Sequence, residues 1–267
     1  MKSFDNMSSV PSSDKKQSLV EHLDELRSTI IKIAIVLIAG TAICFYIAPA
    51  LLGLLKKPLI DMIQTYFPDT AQDANLLRSL HPSGAFMVAM KIAFTAGTIL
   101  TLPLTTYFAG KFIMPALNDQ EKKIVKCIFV AGGGLFIAGI VFCYYAALPF
   151  SLRFLWSIAN WIGITNDWTI ENYITFTSRF ILLFGVTFET PAVILLLVFA
   201  GFLHYQTLKK FRRYVIVAIF IVAAIITPPD VITQIILALP LMILYELSVL
   251  GAYVIHKKRL KNSQLAG

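Results

Sequence analysis

Six apolar runs can be drawn along the chain, at about Ile30 to Leu52, Phe86 to Phe108, Ile124 to Leu148, Phe180 to Phe202, Tyr214 to Ile226 and Val231 to Ile255, with polar connections between them. Runs of this kind signal membrane spans. In lipid only helices and closed barrels satisfy their own backbone, so all of them are predicted as α-helices. The fifth run breaks the pattern: as a helix it is about 20 Å long, against roughly 30 Å of hydrocarbon. The segment Thr227 to Asp230, TPPD, turns the chain straight into the sixth run. A span that short thins the bilayer or lies beside something that admits water. The final pair therefore predicts a deliberately short hairpin, which points to transport rather than anchoring.

Composition supports the same solvent. Hydrophobic residues make up 57% of the chain and charged residues 14%, with a mean hydropathy of +0.75. The fold class is an all-α integral membrane protein with six transmembrane helices, the last two short. Lysine and arginine then set the orientation. Lys15, Lys16, Arg27 and Lys32 open the first span; Lys111, Lys122, Lys123 and Lys126 surround the second connection; Lys209, Lys210, Arg212 and Arg213 lie at the fourth; Lys257, Lys258, Arg259 and Lys261 close the chain. These blocks share one side, which places both termini in the cytoplasm. The opposite connections carry Lys56, Lys57, Arg78 and Arg153, largely cancelled by Asp61, Asp69, Asp73, Asp167 and Glu171. The net charge of +8 is thus a topology signal and not a nucleic-acid footprint. The expected organisation is a disordered cytoplasmic tail over 1–17, a membrane domain with an N-terminal amphipathic helix over 18–255, and a basic cytoplasmic tail over 256–267. The first span has no small-residue cleavage site and is not read as a signal peptide.

Catalytic and metal-binding patterns are missing. There is no HExxH, GxSxG or glycine-rich phosphate loop, and His22, His81, His204 and His256 are scattered. Cys44, Cys127 and Cys143 lack metal spacing and read as small apolar fillers. Gly132, Gly133, Gly134 and Ala138 read as close helix packing. Neither an enzyme nor a cofactor or metal site is expected.

The unusual residues are acids. Ser18 to Arg27, SLVEHLDELR, combines a Ser18/Glu21 capping box with Leu19, Leu23, Leu26 and Ile30 on one helical face. Glu21, Asp24 and Glu25 lie on its polar face, and Glu21 and Glu25 form a repulsive i,i+4 pair. Asp119 and Glu121 follow in the next cytoplasmic connection. These acids are either a solvated face paired locally to Arg27 or Lys122, or a receptor surface for a cationic segment, since carboxylates engage guanidinium groups bidentately. A second set is intramembrane: Glu189 near the middle of the fourth run, with Pro191 bending the helix beside it, and Gln234 and Glu246 in the sixth. A charged carboxylate facing lipid costs several kcal/mol, so such acids are paired, protonated or turned into a wet cluster. They serve a function or act as glue between helices.

Taken together, HLDELR at His22 to Arg27, KFIMPALNDQEKK at Lys111 to Lys123, FGVTFETPAV at Phe184 to Val193 and TPPDVITQ at Thr227 to Gln234 resemble the signature segments of the TatC family, the multi-spanning core of the twin-arginine protein translocase. Their order and the six-span plan match from Ser18 to about Ile255. The insert Thr70 to Leu76 and the Lys111 of GKF depart from the family pattern. The resemblance implies a bacterial inner (plasma) membrane location, or its organellar equivalent. It implies binding of the twin-Arg signal peptides of folded cargo on the cytoplasmic face through Glu25 and Glu121, with His22, Leu26, Phe112, Pro115 and Leu117 shaping the site. It further implies that Glu189 and Gln234 face a polar groove where single-span TatA/TatB partners pack, with Asp230 and Glu246 adding intramembrane polarity. Self-association in a receptor complex and export driven by the proton motive force belong to the same expectation. The alternative is an ion-coupled secondary transporter of a small solute, using Glu189 and Glu246. It predicts an inverted repeat, and nothing in the first three runs mirrors FETP or TPPD.

Overall fold

The structure, a computed structural model, describes residues 19–68, 77–113, 119–164, 166–226 and 230–265. Its helices are α1 (Leu19–Tyr46), α2 (Ala48–Tyr66), α3 (Gly84–Ile113), α4 (Asp119–Phe142), α5 (Leu148–Trp161), α6 (Ile170–Phe188), α7 (Thr190–Phe199), α8 (Tyr205–Ile226) and α9 (Val231–Leu265). Two short strands, β1 (Leu77–Arg78) and β2 (Trp168–Thr169), pair in parallel with Leu77 opposite Trp168 and Arg78 opposite Thr169. The bundle thus has a sheet end and, opposite it, a basic end where α1 begins, α3 passes to α4, α7 passes to α8 and α9 finishes.

Prolines fix where the apolar runs break. Pro49, in the first turn of α2, ends the first run at Tyr46 rather than Leu52, because it has no N–H to return to the Phe45 carbonyl and its ring crowds that carbonyl. The chain then folds into α2, so much of the segment read as a connection from Lys57 onward is helical to Tyr66. Pro149 cannot return a hydrogen bond to Tyr145, and its ring crowds that carbonyl. The ladder opens into a π-helical turn over Cys143–Ala147, in which the Leu148 amide reaches back to the Cys143 carbonyl. The third run therefore continues past Leu148 as α5, to Trp161. Pro191 separates α6 from α7, leaving Glu189 at the junction with φ −74° and ψ −15°.

Among the described residues, five helical stretches are long and apolar enough to cross a membrane: Leu23–Tyr46, Gly84–Phe112, Val125–Trp161, Ile170–Phe199 and Val231–Lys257. The remaining candidate, α8, has 22 residues, but Lys209, Lys210, Arg212 and Arg213 occupy its first half, so its apolar part is short. The expectation of two short final spans holds only for the first of them. α9 is 35 residues long and runs on through the basic residues that were assigned to a separate tail.

The main core lies between α2, α3, α5, α6 and α9, where Leu59, Ile63, Ile92, Leu152, Trp156, Phe180, Phe184 and Leu237 are almost fully buried. A smaller cluster, Val198, Leu208, Tyr245, Val249 and Ala252, ties α7 and α8 to α9. At the sheet end Trp156 packs edge-on against Trp168 with ring centroids 5.3 Å apart, and the Arg153 guanidinium covers the Tyr66 ring at 3.8 Å. Cys44 and Cys143 are buried as expected of fillers, whereas Cys127 is exposed.

α1 stands apart from this core and leans chiefly on α3. A Cβ placed on Gly97 would lie 2.7 Å from the Thr41 amide nitrogen, and one on Gly40 would run into the Thr101 methyl. The two backbones cross almost in contact, as small residues permit. The glycines of α4 do less than their clustering implies. Gly132 faces Ala192 and Glu189, but Gly133 and Gly134 meet nothing within 4 Å; the tight approach is at Gly139, whose Cβ would lie 2.7 Å from the Phe184 carbonyl oxygen.

At the α1–α3 crossing Gly97→Ala must push one helix backbone off the other, a loss of about 1–3 kcal/mol by the usual cost of overpacking. Thermal unfolding in detergent should show a lowered midpoint for Gly97→Ala and none for Gly133→Ala. Equal midpoints for Gly97→Ala and wild type would mean that α1 is not seated on α3.

Candidate functional site

At the basic end, the first turns of α1 bring Glu25 to a half-buried position. Its Oε2 is shielded from solvent and receives no hydrogen bond among the described residues. A carboxylate oxygen in that state carries the desolvation cost of burial without the bond that offsets it. The apolar face read from the sequence points outward: Leu23 is 63% exposed, Ile30 57% and Leu26 37%. The helix therefore shows a continuous greasy stripe beside an unsatisfied acid.

Glu121 is the third residue of α4, in the first helical turn, where the helix dipole favours a negative charge. α1 and α4 both pack on α3, so the turns carrying Glu25 and Glu121 open at the same end. Phe112 is half-buried near the end of α3, and Lys111 beside it is exposed. Gly110 allows the Phe129 ring of α4 to approach, at 3.3 Å from where its Cβ would stand. Pro115 and Leu117 lie outside the described residues, as do the side chains of Glu21, His22, Asp119 and Glu121 and the whole of Ser18, so the capping box is not described either.

The intramembrane set separates into different roles. Glu189 is not at mid-span. Counted along the helix it lies about 28 Å from the start of α6 and about 15 Å from the end of α7, nearer the basic end. It sits half-buried beside Gly132 of α4, whose missing side chain makes room for its Oε2, and its Oε1 receives no hydrogen bond among the described residues. Gln234 is engaged within the α8–α9 hairpin: its Nε2 donates to the Phe220 carbonyl at 2.9 Å. Asp230 is a helix cap, its Oδ1 accepting from the Thr233 amide at 2.7 Å and its Oδ2 from the Thr233 hydroxyl. Glu246 is paired with Arg212 across the same hairpin, both side chains 45% exposed. Nearby the Tyr245 hydroxyl donates to the Leu208 carbonyl at 2.7 Å. Thus Gln234 and Glu246 clamp α8 to α9 while Asp230 caps α9, and among the described residues only Glu189 of the four keeps a buried unmet oxygen.

Two charged residues inside the apolar helices escaped the sequence reading, Lys91 in α3 and Arg179 in α6. Their signal in the sequence is the same as that of the acids, a charged residue in or at the edge of an apolar run. Glu171, read there only as a neutralising loop charge, is in the first turn of α6 and accepts a hydrogen bond from the Ser79 hydroxyl.

The Sec-independent protein translocase protein (TatC) family model matches residues 21–240 of this chain. A relative from Helicobacter pylori strain 26695, the Sec-independent protein translocase protein TatC, is 35% identical over 241 residues, covering 90% of this chain and 89% of its own. The namesake from Aquifex aeolicus is 34% identical over 243 residues, covering 90% and 97%. The one from Akkermansia muciniphila is 40% identical over 184 residues, 68% of this chain, and the match spans 53% of that relative. The crystal structure of the twin arginine translocase receptor TatC superposes with a TM-score of 0.77 at 33% identity, over 88% of this chain and 99% of that one. The secondary-transporter alternative finds no support in these matches, and its second coupling acid, Glu246, is held by Arg212. By sequence and by fold the chain belongs to the TatC family, multi-pass membrane components of the Sec-independent protein translocase that act as receptors and not as enzymes.

Proposed function

We propose that the basic end is the cytoplasmic receptor for twin-arginine signal peptides of folded cargo. The observation that carries this reading is the buried Glu25 Oε2 without a donor. A guanidinium supplies a planar fork of N–H donors that fits a carboxylate, so an arginine completes what the fold leaves open. Glu121, in the first turn of α4, is the second carboxylate, one for each arginine. The family resemblance assigns His22, Phe112, Pro115 and Leu117 to the same site, and the exposed Leu23, Leu26 and Ile30 offer an apolar track to the hydrophobic part of the same peptide. The similar crystal structure is that of a twin arginine translocase receptor, which agrees with this assignment.

The orientation follows the charge: both termini are cytoplasmic, and the apolar half of α8 is the sixth crossing, the fifth in chain order. That half-span thins the bilayer beside it. Glu189, whose Oε1 is unmet, is the contact for a polar group on a single-span TatA/TatB-type partner. Gln234 acts on that groove through its hold on α8. The receptor self-associates, gathers partner helices at the thinned region, and draws on the transmembrane potential and proton gradient for transport.

Removal of a charge-assisted hydrogen bond should weaken twin-Arg peptide binding by about 1.5–3 kcal/mol in Glu25→Gln or Glu121→Gln, with Glu→Lys worse at either site. Titration with Arg-Arg and Gln-Gln peptides tests this; a wild-type protein that binds both equally sinks the receptor assignment.

For Glu189, the hydrogen-bonding role and a proton-carrying role separate cleanly. Glu189→Gln should keep much of the export of a folded cargo, whereas Glu189→Leu loses it, because an amide still bonds a partner helix but cannot release a proton. Peptide binding should survive both changes at equal protein level. Full export by Glu189→Leu would remove the assembly role, and a Gln variant as inactive as Leu would return the residue to proton coupling.

A further inference from the structure

α3 and α6 enclose a groove of about 430 Å³ on the outer side of the bundle. Its polar walls are Lys91, Arg179, Thr175 and Ser178, and its apolar walls include Phe94 and Leu182. The groove lies away from the basic end and from Glu189. Lys91 is about 10 Å along α3 from its start at the sheet end, and Arg179 about 14 Å along α6. A helix of 30 residues such as α3 is about 45 Å long, the full thickness of a bilayer with its headgroups. The two cations thus stand a few ångströms inside the hydrocarbon at the sheet-end leaflet, within the reach of their own side chains to the phosphate level.

Cations at that depth are costly unless compensated. Lys91 Nζ donates to the Thr175 hydroxyl at 2.6 Å, and that hydroxyl donates on to the Glu171 carbonyl at 2.5 Å. Glu171 is the carboxylate close enough to sense Lys91, but it accepts the Ser79 hydroxyl instead of forming an ion pair. Among the described residues neither Lys91 nor Arg179 has an acidic partner. The Ser178 hydroxyl, in a residue only 6% exposed, also lacks a hydrogen-bond partner there. The groove therefore presents two cations without a direct carboxylate partner among the described residues, and a buried hydroxyl, above an apolar floor. Phe94, 49% exposed, and Leu182 continue that floor toward the bilayer centre.

We infer that this groove binds one glycerophospholipid of the sheet-end leaflet, its phosphate held by Lys91, Arg179 and Ser178 and an acyl chain lying along Phe94 and Leu182. The recognised chemistry is a phosphate oxyanion joined to an apolar tail. A guanidinium and an ammonium supply charge-assisted bonds to the oxygens, and the net positive groove favours a headgroup without a cation of its own. Such a lipid sets one negative charge between the two cations and fastens α3 to α6.

The test is native mass spectrometry of the full chain in detergent with added phosphatidylglycerol, phosphatidylcholine or inorganic phosphate. One phosphatidylglycerol should stay bound under activation that strips the others, and millimolar inorganic phosphate should not displace it. At about 1 kcal/mol per cation near a membrane phosphate, Arg179→Gln should bind it about fivefold more weakly and Lys91→Gln/Arg179→Gln about thirtyfold; Lys91→Arg should bind like wild type. Arg179 is exposed, so the single variant remains folded and keeps its lipid-free thermal midpoint. Equal retention by the double variant and wild type would mean that the cations merely reach bulk headgroups. Displacement by inorganic phosphate, or an acidic polypeptide bound in place of lipid, would also overturn the assignment.

Discussion

A bilayer offers no water to a backbone group that loses its partner, and the architecture here follows from where proline imposes that loss. Pro149 opens a π-helical turn that lets one long helical path bend into α5 and carry Trp156 into the sheet-end core. Pro191 stops α6 and starts α7, which puts Glu189 at a junction rather than inside a regular turn. α3 carries Pro103, and the threonine hydroxyls around it bond back to carbonyls of their own helix: Thr105 and Thr106 donate to the Leu102 carbonyl at 2.9 and 2.8 Å, and Thr101 to that of Gly97 at 2.8 Å. Each hydroxyl thus finds inside the helix the partner that lipid does not offer.

The same constraint explains why polar side chains in the α8–α9 hairpin are used up on each other. A half-length apolar helix has little packing surface to hold it. Its attachment to α9 therefore rests on directed bonds: Gln234 to the Phe220 carbonyl near one end, Tyr245 to the Leu208 carbonyl and Glu246 to Arg212 near the other. Asp230 caps α9 immediately after the turn. A hairpin fastened in this way can keep its apolar part short without fraying.

Span positions were legible in the sequence because hydropathy and proline position act locally. The all-α membrane class, the short apolar part of α8 and the break beside Glu189 were all readable on those grounds. The continuation of α4 into α5 was not, since nothing in the run up to Leu148 tells whether a proline ends a helix or widens it. The length of α9 was missed because the basic residues after Ile255 were read as a change of segment, although lysine and arginine are good helix formers. Side-chain partnership was the least readable level. Glu189, Gln234, Asp230 and Glu246 are all polar residues in apolar surroundings, and only the packing separates a cap, a hairpin bond and an ion pair from the one acid with an unmet oxygen. Gly133 and Gly134 make the same point from the apolar side: a glycine cluster marks where close approach is possible, and the neighbouring helix decides which member is used, here Gly132 and Gly139.

α1 is the part of the bundle whose sequence fits its own packing least. Only 11% of its apolar window is buried, and it is joined to the rest mainly through the glycine crossing with α3. A helix that exposes Leu23, Leu26 and Ile30 at one end and Ile38, Ile43 and Tyr46 at the other would be poorly designed as a closed monomer in water. In lipid the exposure is harmless, because acyl chains are as apolar as leucine and no hydrophobic force drives the face into protein. What does act at a membrane helix face is close packing and polar bonding. On α1 the close packing is concentrated at Gly40, toward α3, and the unmet polar group is concentrated at Glu25. Its parts are therefore unequal: the middle holds the helix in the bundle, and the basic end carries the unmet carboxylate oxygen beside an exposed apolar face.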